Sequence, residues 1–235
     1  MIEINNVSKT YNGVKRAIKD VSFKVDGGEI FGFIGHNGAG KTTMIKSIVG
    51  ILDFEEGDIL INGKSIKNNS IECKMDIAYV PDNPDLYENM IAIDFINFVC
   101  DMYEIDKDTR KKNILKYAKM FEISDKLCDD ISSFSHGMKQ KVALIAALSH
   151  DPKVLIMDEP FVGLDPKAVF DMKEIMRSMA KEGKTILFST HLLDVAEKLC
   201  DRVAIIKSGQ IVKIGKMKYI KGDESLEEVF LELGE

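Results

Sequence analysis

Residues 35–42 read Gly35-His36-Asn37-Gly38-Ala39-Gly40-Lys41-Thr42, which fits the spacing G-x-x-x-x-G-K-[ST]. The apolar run Ile30 to Ile34 precedes this octapeptide and a helical pattern, Thr42 to Val49, follows it. In such a strand-to-helix turn the glycines let the backbone curl until successive N–H groups converge on phosphate oxygens. The helix start adds partial positive charge at the same place. Lys41 is then placed to meet the β- and γ-phosphates of a nucleotide, and the Thr42 hydroxyl to bind Mg²⁺. Asn37, Gly38, Ala39, Gly40 and Thr43 complete the expected cradle.

A second segment adds chemistry to binding. Val154-Leu155-Ile156-Met157-Asp158-Glu159 is an apolar strand that ends in two carboxylates. Buried strands rarely finish this way for packing reasons, because charges there need partners. Beside a phosphate loop, Asp158 is expected to hold Mg²⁺ through water and Glu159 to polarise the attacking water. Hydrolysis is therefore expected.

Working outward, Ile30 to Ile34, Val154 to Met157 and Thr185 to Phe188 are continuous apolar or β-branched runs, as buried parallel strands require. Helical patterns between them imply β-α-β crossovers. Ile2 to Ile4, Val21 to Val25 and Ile59 to Ile61 alternate instead, which predicts an antiparallel sheet in the N-terminal part. From Leu86 to His150 no strand interrupts. Lys107 to Ile123 puts Ile114, Ala118 and Phe121 on one helical face, so this region reads as a helical insert. Asp165-Pro166 is a helix start, followed by a core-facing stripe of Val169, Met172, Ile175, Met176 and Met179, with Gly183 at the end. Val203 to Ile206 and Ile211 to Ile214 flank Ser208-Gly209, a hairpin turn. A charged helix begins near Ser225. The fold class is α/β: a P-loop NTPase core with a mainly parallel sheet, an N-terminal antiparallel β subdomain and an inserted α-helical subdomain. Residues 1–84 and 151–222 are assigned to the core with its β subdomain, 85–150 to the helical insert, and 223–235 to a short C-terminal helix.

Composition excludes other classes. The 235 residues are 45% hydrophobic and 30% charged, ordinary for a globular protein and unlike a disordered one. No apolar run reaches the ~18 residues of a membrane-spanning helix, and the opening MIEINNVSKTY lacks a signal peptide's basic-then-apolar pattern. The net charge of −6 gives no general attraction to nucleic acid. Cys73, Cys100, Cys128 and Cys200 lack C-x-x-C spacing and read as reduced thiols.

Together with further segments in the same order, these motifs resemble the ATP-binding subunit of ABC transporters, and the resemblance spans essentially the whole chain. Phe134-Ser135-His136-Gly137-Met138-Lys139-Gln140 matches the signature motif, Gly163-Leu164-Asp165 the loop that passes between subunits, and Ser189-Thr190-His191 the switch histidine. Tyr11 matches the aromatic that stacks on adenine. The resemblance implies that Ser135 and Gly137 bind the γ-phosphate of ATP held by an opposite subunit, and that His191 contacts the γ-phosphate. Two positions depart from the pattern. His136 stands where glycine is commoner, and Asp82, in Pro81-Asp82, stands where glutamine usually contacts Mg²⁺ and the attacking water. Aspartate is still a good oxygen ligand for Mg²⁺, so Asp82 is kept with Thr42 and Asp158 as a metal candidate.

The implied function is an ATPase that closes as a head-to-tail dimer on ATP and drives a membrane-spanning permease subunit from the cytoplasmic face of the cell membrane. The second ATPase subunit is another copy or a paralogue, and no nucleic acid is involved. The signature form, the Pro81-Asp82 variant and Ser225-Leu226-Glu227-Glu228-Val229-Phe230 look like export-type ATPases. The alternatives are an ATPase-weak half of an asymmetric pair and a non-transport ABC ATPase. Leu86, Tyr87, Met90, Ile91, Phe95 and Phe98 form an apolar stretch that suits either the insert's core or a partner-facing groove. His36 has no assigned role, and His150 reads as a surface residue.

Overall fold

The computed structural model describes residues 1–12 and 15–233. The expected segment 223–235 is thus followed only to residue 233, its last two positions lying outside the described residues. Among the described residues the strands form two sheets. One is antiparallel, in the order β2-β1-β4-β5, from β1 (Ile2–Tyr11), β2 (Lys15–Val25), β4 (Glu56–Ile61) and β5 (Lys64–Ser65). The other runs β10-β9-β3-β8-β7-β6, from β3 (Ile30–Ile34), β6 (Ile77–Val80), β7 (Val154–Asp158), β8 (Thr185–Thr190), β9 (Arg202–Lys207) and β10 (Gln210–Lys216). All its pairs are parallel except β9 with β10.

The central strands carry no polar face because both faces are covered. Phe31, Phe33, Val154, Ile156 and Leu187 point to one side, where they pack with the antiparallel sheet and helix α1 (Lys41–Ile48). Phe23 stacks there on Phe31 and Phe33, with ring centroids 5.3 and 5.5 Å apart. Ile30, Ile34, Leu155, Met157, Ile186 and Phe188 point to the other side, against α6 (Pro166–Lys181) and α7 (Leu193–Leu199). The period of two explains why these runs look continuous in sequence while their side chains divide between two cores.

The remaining helices follow the sequence cues where caps or periodicity were present. Asp165 caps α6 by accepting from the Ala168 N–H at 2.9 Å, and the methionine stripe is buried. The β9–β10 turn has positive φ at both Ser208 (50°) and Gly209 (79°), as a two-residue hairpin demands. Helices α3 (Ala92–Met102), α4 (Lys107–Met120) and α5 (His136–Ser149) lie between β6 and β7. The last two helices are α8 (Met217–Lys221) and α9 (Leu226–Glu232), and α9 opens with a reciprocal Ser225–Glu228 capping box. A short α2 (Ser70–Asp76) precedes β6. No helix among the described residues is long and apolar enough to cross a membrane.

One expectation is corrected. His150 is buried, at 6% exposure, with its ring stacked on Tyr103 at 3.7 Å between centroids and 6° between planes. It lies just past the end of α5, where helical periodicity gives no cue, and Tyr103, just past the end of α3, covers it. Burial pushes its pKa down to about 4, so it folds as the neutral imidazole. The unfolded chain, with the ordinary value near 6.5, binds the extra proton first. Stability is therefore full above about pH 6.5 and falls between there and pH 4, by up to about 3 kcal/mol from this group. We expect the wild-type Tm to drop further between pH 7 and pH 4.5 than that of His150→Phe, which keeps the stack and cannot titrate. Equal drops in the two proteins would refute this.

Candidate functional site

The phosphate loop leaves β3 and enters α1 at the carboxyl edge of the parallel sheet. Gly40 holds φ at 113°, and a Cβ there would lie 2.7 Å from the Ala17 carbonyl oxygen. The turn therefore depends on glycine at this position. Lys41 is 6% exposed, and its Nζ donates to the Gly35 carbonyl at 2.7 Å and the His36 carbonyl at 3.4 Å. A cavity of about 500 Å³ opens over the loop, lined in part by Tyr11, Asn37, Gly38, Gly40, Lys41, Thr42, Thr43, Asp82 and Glu159. Ala39 does not line it. Its side chain is buried in the core and its N–H donates to the His36 carbonyl at 3.1 Å. Tyr11 is 39% exposed, with its hydroxyl 3.4 Å from Thr43 Oγ1.

The two acids at the end of β7 have different surroundings. Asp158 is buried and accepts from the Ser189 hydroxyl through Oδ1, while Oδ2 is buried without a partner. That orphaned oxygen, with the Thr42 hydroxyl and Asp82 on the cavity wall, fits a hard cation. Glu159 follows a backbone reversal at φ 48°, a strained value for a non-glycine residue. Its N–H donates to Ser189 Oγ at 3.1 Å and the Ser189 carbonyl at 3.2 Å, which stabilises that reversal. The carboxylate then lies between Lys41 and His191: Oε1 is 3.2 Å from Lys41 Nζ, and Oε2 is 3.0 Å from His191 Nδ1 and accepts from the His191 N–H at 3.2 Å.

Electrostatics separates the acids further. Burial pushes the Glu159 carboxyl up, but the His191 hydrogen bond and the Lys41 charge outweigh it and leave the pKa below the usual range. Asp82 goes the other way, raised by burial and then by the charges of Asp158 and Glu159. Burial, followed by the Asp158 charge, also raises the neighbouring Tyr79 phenol.

Ser135 and Gly137 stand elsewhere. Neither lines the cavity. Ser135 caps α5 by accepting from the Met138 N–H at 3.3 Å. A Cβ on Gly137 would come within 2.6 Å of the Gly163 carbonyl oxygen, so the signature segment lies directly on the loop after Glu159. Lys141 reinforces that contact with an ion pair to Asp165 at 2.6 Å.

The model of the ABC transporter family matches residues 18–162, more than half of the chain. The chain belongs to the ATP-binding subunits of ABC transporters. A solved ATP-binding subunit of an ABC transporter superposes with a TM-score of 0.96 at 33% identity, covering 100% of both chains. An ATP-binding cassette solved as a dimer in a post-hydrolysis state with ADP and Pi gives 0.84 at 25% identity, covering 92% of this chain and 99% of that one. Two curated relatives are similar to almost the same degree. The linearmycin resistance ATP-binding protein LnrL of Bacillus subtilis is 35% identical, over 92% of this chain and 69% of its own length. The methionine import ATP-binding protein MetN of Clostridium acetobutylicum is 34% identical, over 93% and 69%.

In this ABC ATPase the contributors to the site that the sequence does not single out include Ser189 and Arg16. Ser189 holds both acids, and its signal was positional: the parallel register sets it opposite Asp158. Arg16 also lines the cavity and pairs with Glu56 at 3.0 Å. The alternating residues around it gave no reason to single it out.

Proposed function

We propose that this ABC ATPase hydrolyses ATP with Glu159 as general base and transmits the cycle to a membrane-spanning permease subunit through a head-to-tail pair of ATPase subunits. The observation that carries the reading is the Lys41–Glu159–His191 group, with contacts of 3.2 and 3.0 Å, whose Lys41 and Glu159 line the phosphate-loop cavity with His191 behind Glu159.

Without nucleotide, Glu159 is the counter-ion of Lys41. A triphosphate offers Lys41 other oxygens and leaves Glu159 with His191. Losing the ammonium and gaining a neighbouring anion both raise the proton affinity of the carboxylate, toward the range a general base needs. Glu159 then accepts a proton from the attacking water while His191 keeps the carboxylate oriented. Tyr11, exposed at the cavity rim, offers a ring face to adenine. Thr42, Asp158 and Asp82 are the residues that would hold Mg²⁺, which neutralises charge on the phosphates when bound.

Ser135 and Gly137 do not line their own chain's cavity, so their donors are free to serve a nucleotide held by a second subunit. The dimeric relative with ADP and Pi supports that pairing. Residues 85–150 would be the part that tilts against the core at 1–84 and 151–222. Leu86 is buried, whereas Tyr87, Ile91 and Phe98 are 61%, 37% and 42% exposed, an apolar face for the permease subunit. That partner would place the chain on the cytoplasmic side of the membrane.

The composite site has a decisive test. Lys41→Ala removes one half of a site and Ser135→Arg the other, so each variant alone should be inactive. Mixed, they form a dimer in which one site has both halves intact, and hydrolysis should return. A mixture as inactive as its parents would sink the head-to-tail reading. For direction we favour export, on the signature form and the resistance relative. Export requires that cells carrying Glu159→Gln in place of the wild type accumulate the transported solute, and depletion would reverse the assignment.

A further inference from the structure

The phosphate-loop pattern leaves the residue at position 36 unspecified, yet the His36 ring packs against Phe230 of α9, with centroids 4.5 Å apart and planes tilted by 54°. Its carbonyl oxygen accepts from the Ala39 N–H at 3.1 Å and from Lys41 Nζ at 3.4 Å. One residue thus touches α9 through its side chain and the phosphate-binding lysine through its backbone. The loop's ends are held by the core, with the Gly209 N–H donating to the Ala39 carbonyl at 2.9 Å, but its crest is not: His36, Asn37 and Gly38 are all exposed, and a Cβ on Gly38 would meet nothing within 4 Å.

Helix α9 is itself well fixed. Leu226, Val229 and Phe230 are buried. The Leu226 N–H donates to Glu197 of α7 at 2.9 Å, and Lys221 pairs with the same carboxylate at 2.8 Å. At the other end of α9, Lys207 donates to the Leu233 carbonyl at 2.8 Å. Phe230 is therefore a fixed ring pressed on a loop that must be ordered when phosphate binds.

We infer that Phe230 is a positioning residue for the phosphate loop, acting through His36 on Lys41. This inference rests on the proposed role of Lys41 as a phosphate ligand. Bracing the loop in advance lowers the ordering penalty of nucleotide binding, so its loss appears in affinity and spares the chemical step. Phe230→Leu keeps a buried apolar side chain but removes the ring contact, and Phe230→Tyr restores the ring.

The experiment measures KM and kcat for ATP with Mg²⁺, together with Tm, on full-length wild type, Phe230→Leu, Phe230→Tyr, His36→Ala and the Phe230→Leu/His36→Ala double variant. Phe230→Leu should raise KM about three- to tenfold, the worth of one aromatic contact, with kcat within about twofold. Phe230→Tyr should behave as wild type. The double variant should be no worse than His36→Ala, because both substitutions break the same link. A role confined to stability would lower Tm and active fraction while leaving KM unchanged, and that result overturns the inference. So does a double variant whose KM change is the product of the single ones. Should Phe230→Leu fail to fold, His36→Ala carries the test alone: an unchanged KM in that exposed-loop variant is equally fatal. Lys41→Ala separates the two ideas: if it leaves ATP binding intact, the parent reading has failed and not merely this one.

Discussion

Glu159→Gln should lower kcat for ATP hydrolysis by about 100- to 10,000-fold, the usual contribution of a positioned general base. It should leave ATP binding intact or strengthen it. The carboxylate is buried between Lys41 and His191, and glutamine preserves its shape and its ability to accept from the His191 N–H. Glutamine cannot take a proton from water, and it brings no negative charge to repel a triphosphate. ATP should therefore bind and remain. In the head-to-tail scheme that traps the closed pair, so light scattering after size exclusion should report a dimer with ATP and a monomer without it. Hydrolysis near the wild-type rate would remove Glu159 from the base role. A persistent monomer with ATP demonstrably bound would show that a different subunit, or the permease, is needed for pairing.

Lys41→Ala should abolish useful binding. Two charge-assisted hydrogen bonds to phosphate oxygens, at ~1.5 kcal/mol each, amount to about 3 kcal/mol and about 100-fold in Kd. The same substitution has a second consequence inside the empty site. Glu159 loses the ammonium beside it while remaining buried, so its pKa rises. The folded carboxyl with a depressed pKa contributes stability that is present above the unfolded value and lost as the pH falls through the folded one. Without Lys41 that contribution shrinks, so Lys41→Ala should be less stable than wild type at neutral pH, with the difference closing in acid. Calorimetric titration with ATP reads the first effect and thermal melts at pH 7 and pH 4 read the second. Wild-type affinity in Lys41→Ala would contradict the phosphate role directly.

The sequence was most legible where one local rule decided the outcome. The runs Ile30 to Ile34, Val154 to Met157 and Thr185 to Phe188 are parallel strands because both faces of that sheet are buried. Asp165-Pro166 and Ser208-Gly209 carry their cap and their turn in their own chemistry. It was less legible where the outcome depends on what lies opposite. His150 is buried because Tyr103, 47 positions away, covers it. Ser189 matters because the register faces it with Asp158. The apolar stretch after Leu86 divides between core and surface residue by residue, a division that composition cannot express. The phosphate loop announced Lys41 and Thr42, but the contact of His36 with Phe230 joins residues 194 positions apart.

The pairing of Asp158 with Ser189 has a consequence for how the two adjacent acids came to do different work. Asp158 is the last residue of β7 and stands opposite Ser189 in the register, while Glu159, next along, takes the left-handed φ of 48° that turns the chain out of the strand. Asp158 therefore points toward Ser189 and its neighbour toward Lys41 and His191. Deleting one residue from β7 ahead of Asp158 would carry Glu159 to the place opposite Ser189 and draw Asp158 back to the buried place of Met157, leaving no acid between Lys41 and His191. The division of labour between them is a matter of place along the chain, so aspartate and glutamate here are not two samples of the same charge. Any variant or relative with an inserted or deleted residue in this strand must be judged by which residue falls opposite Ser189, before its side-chain identities are compared.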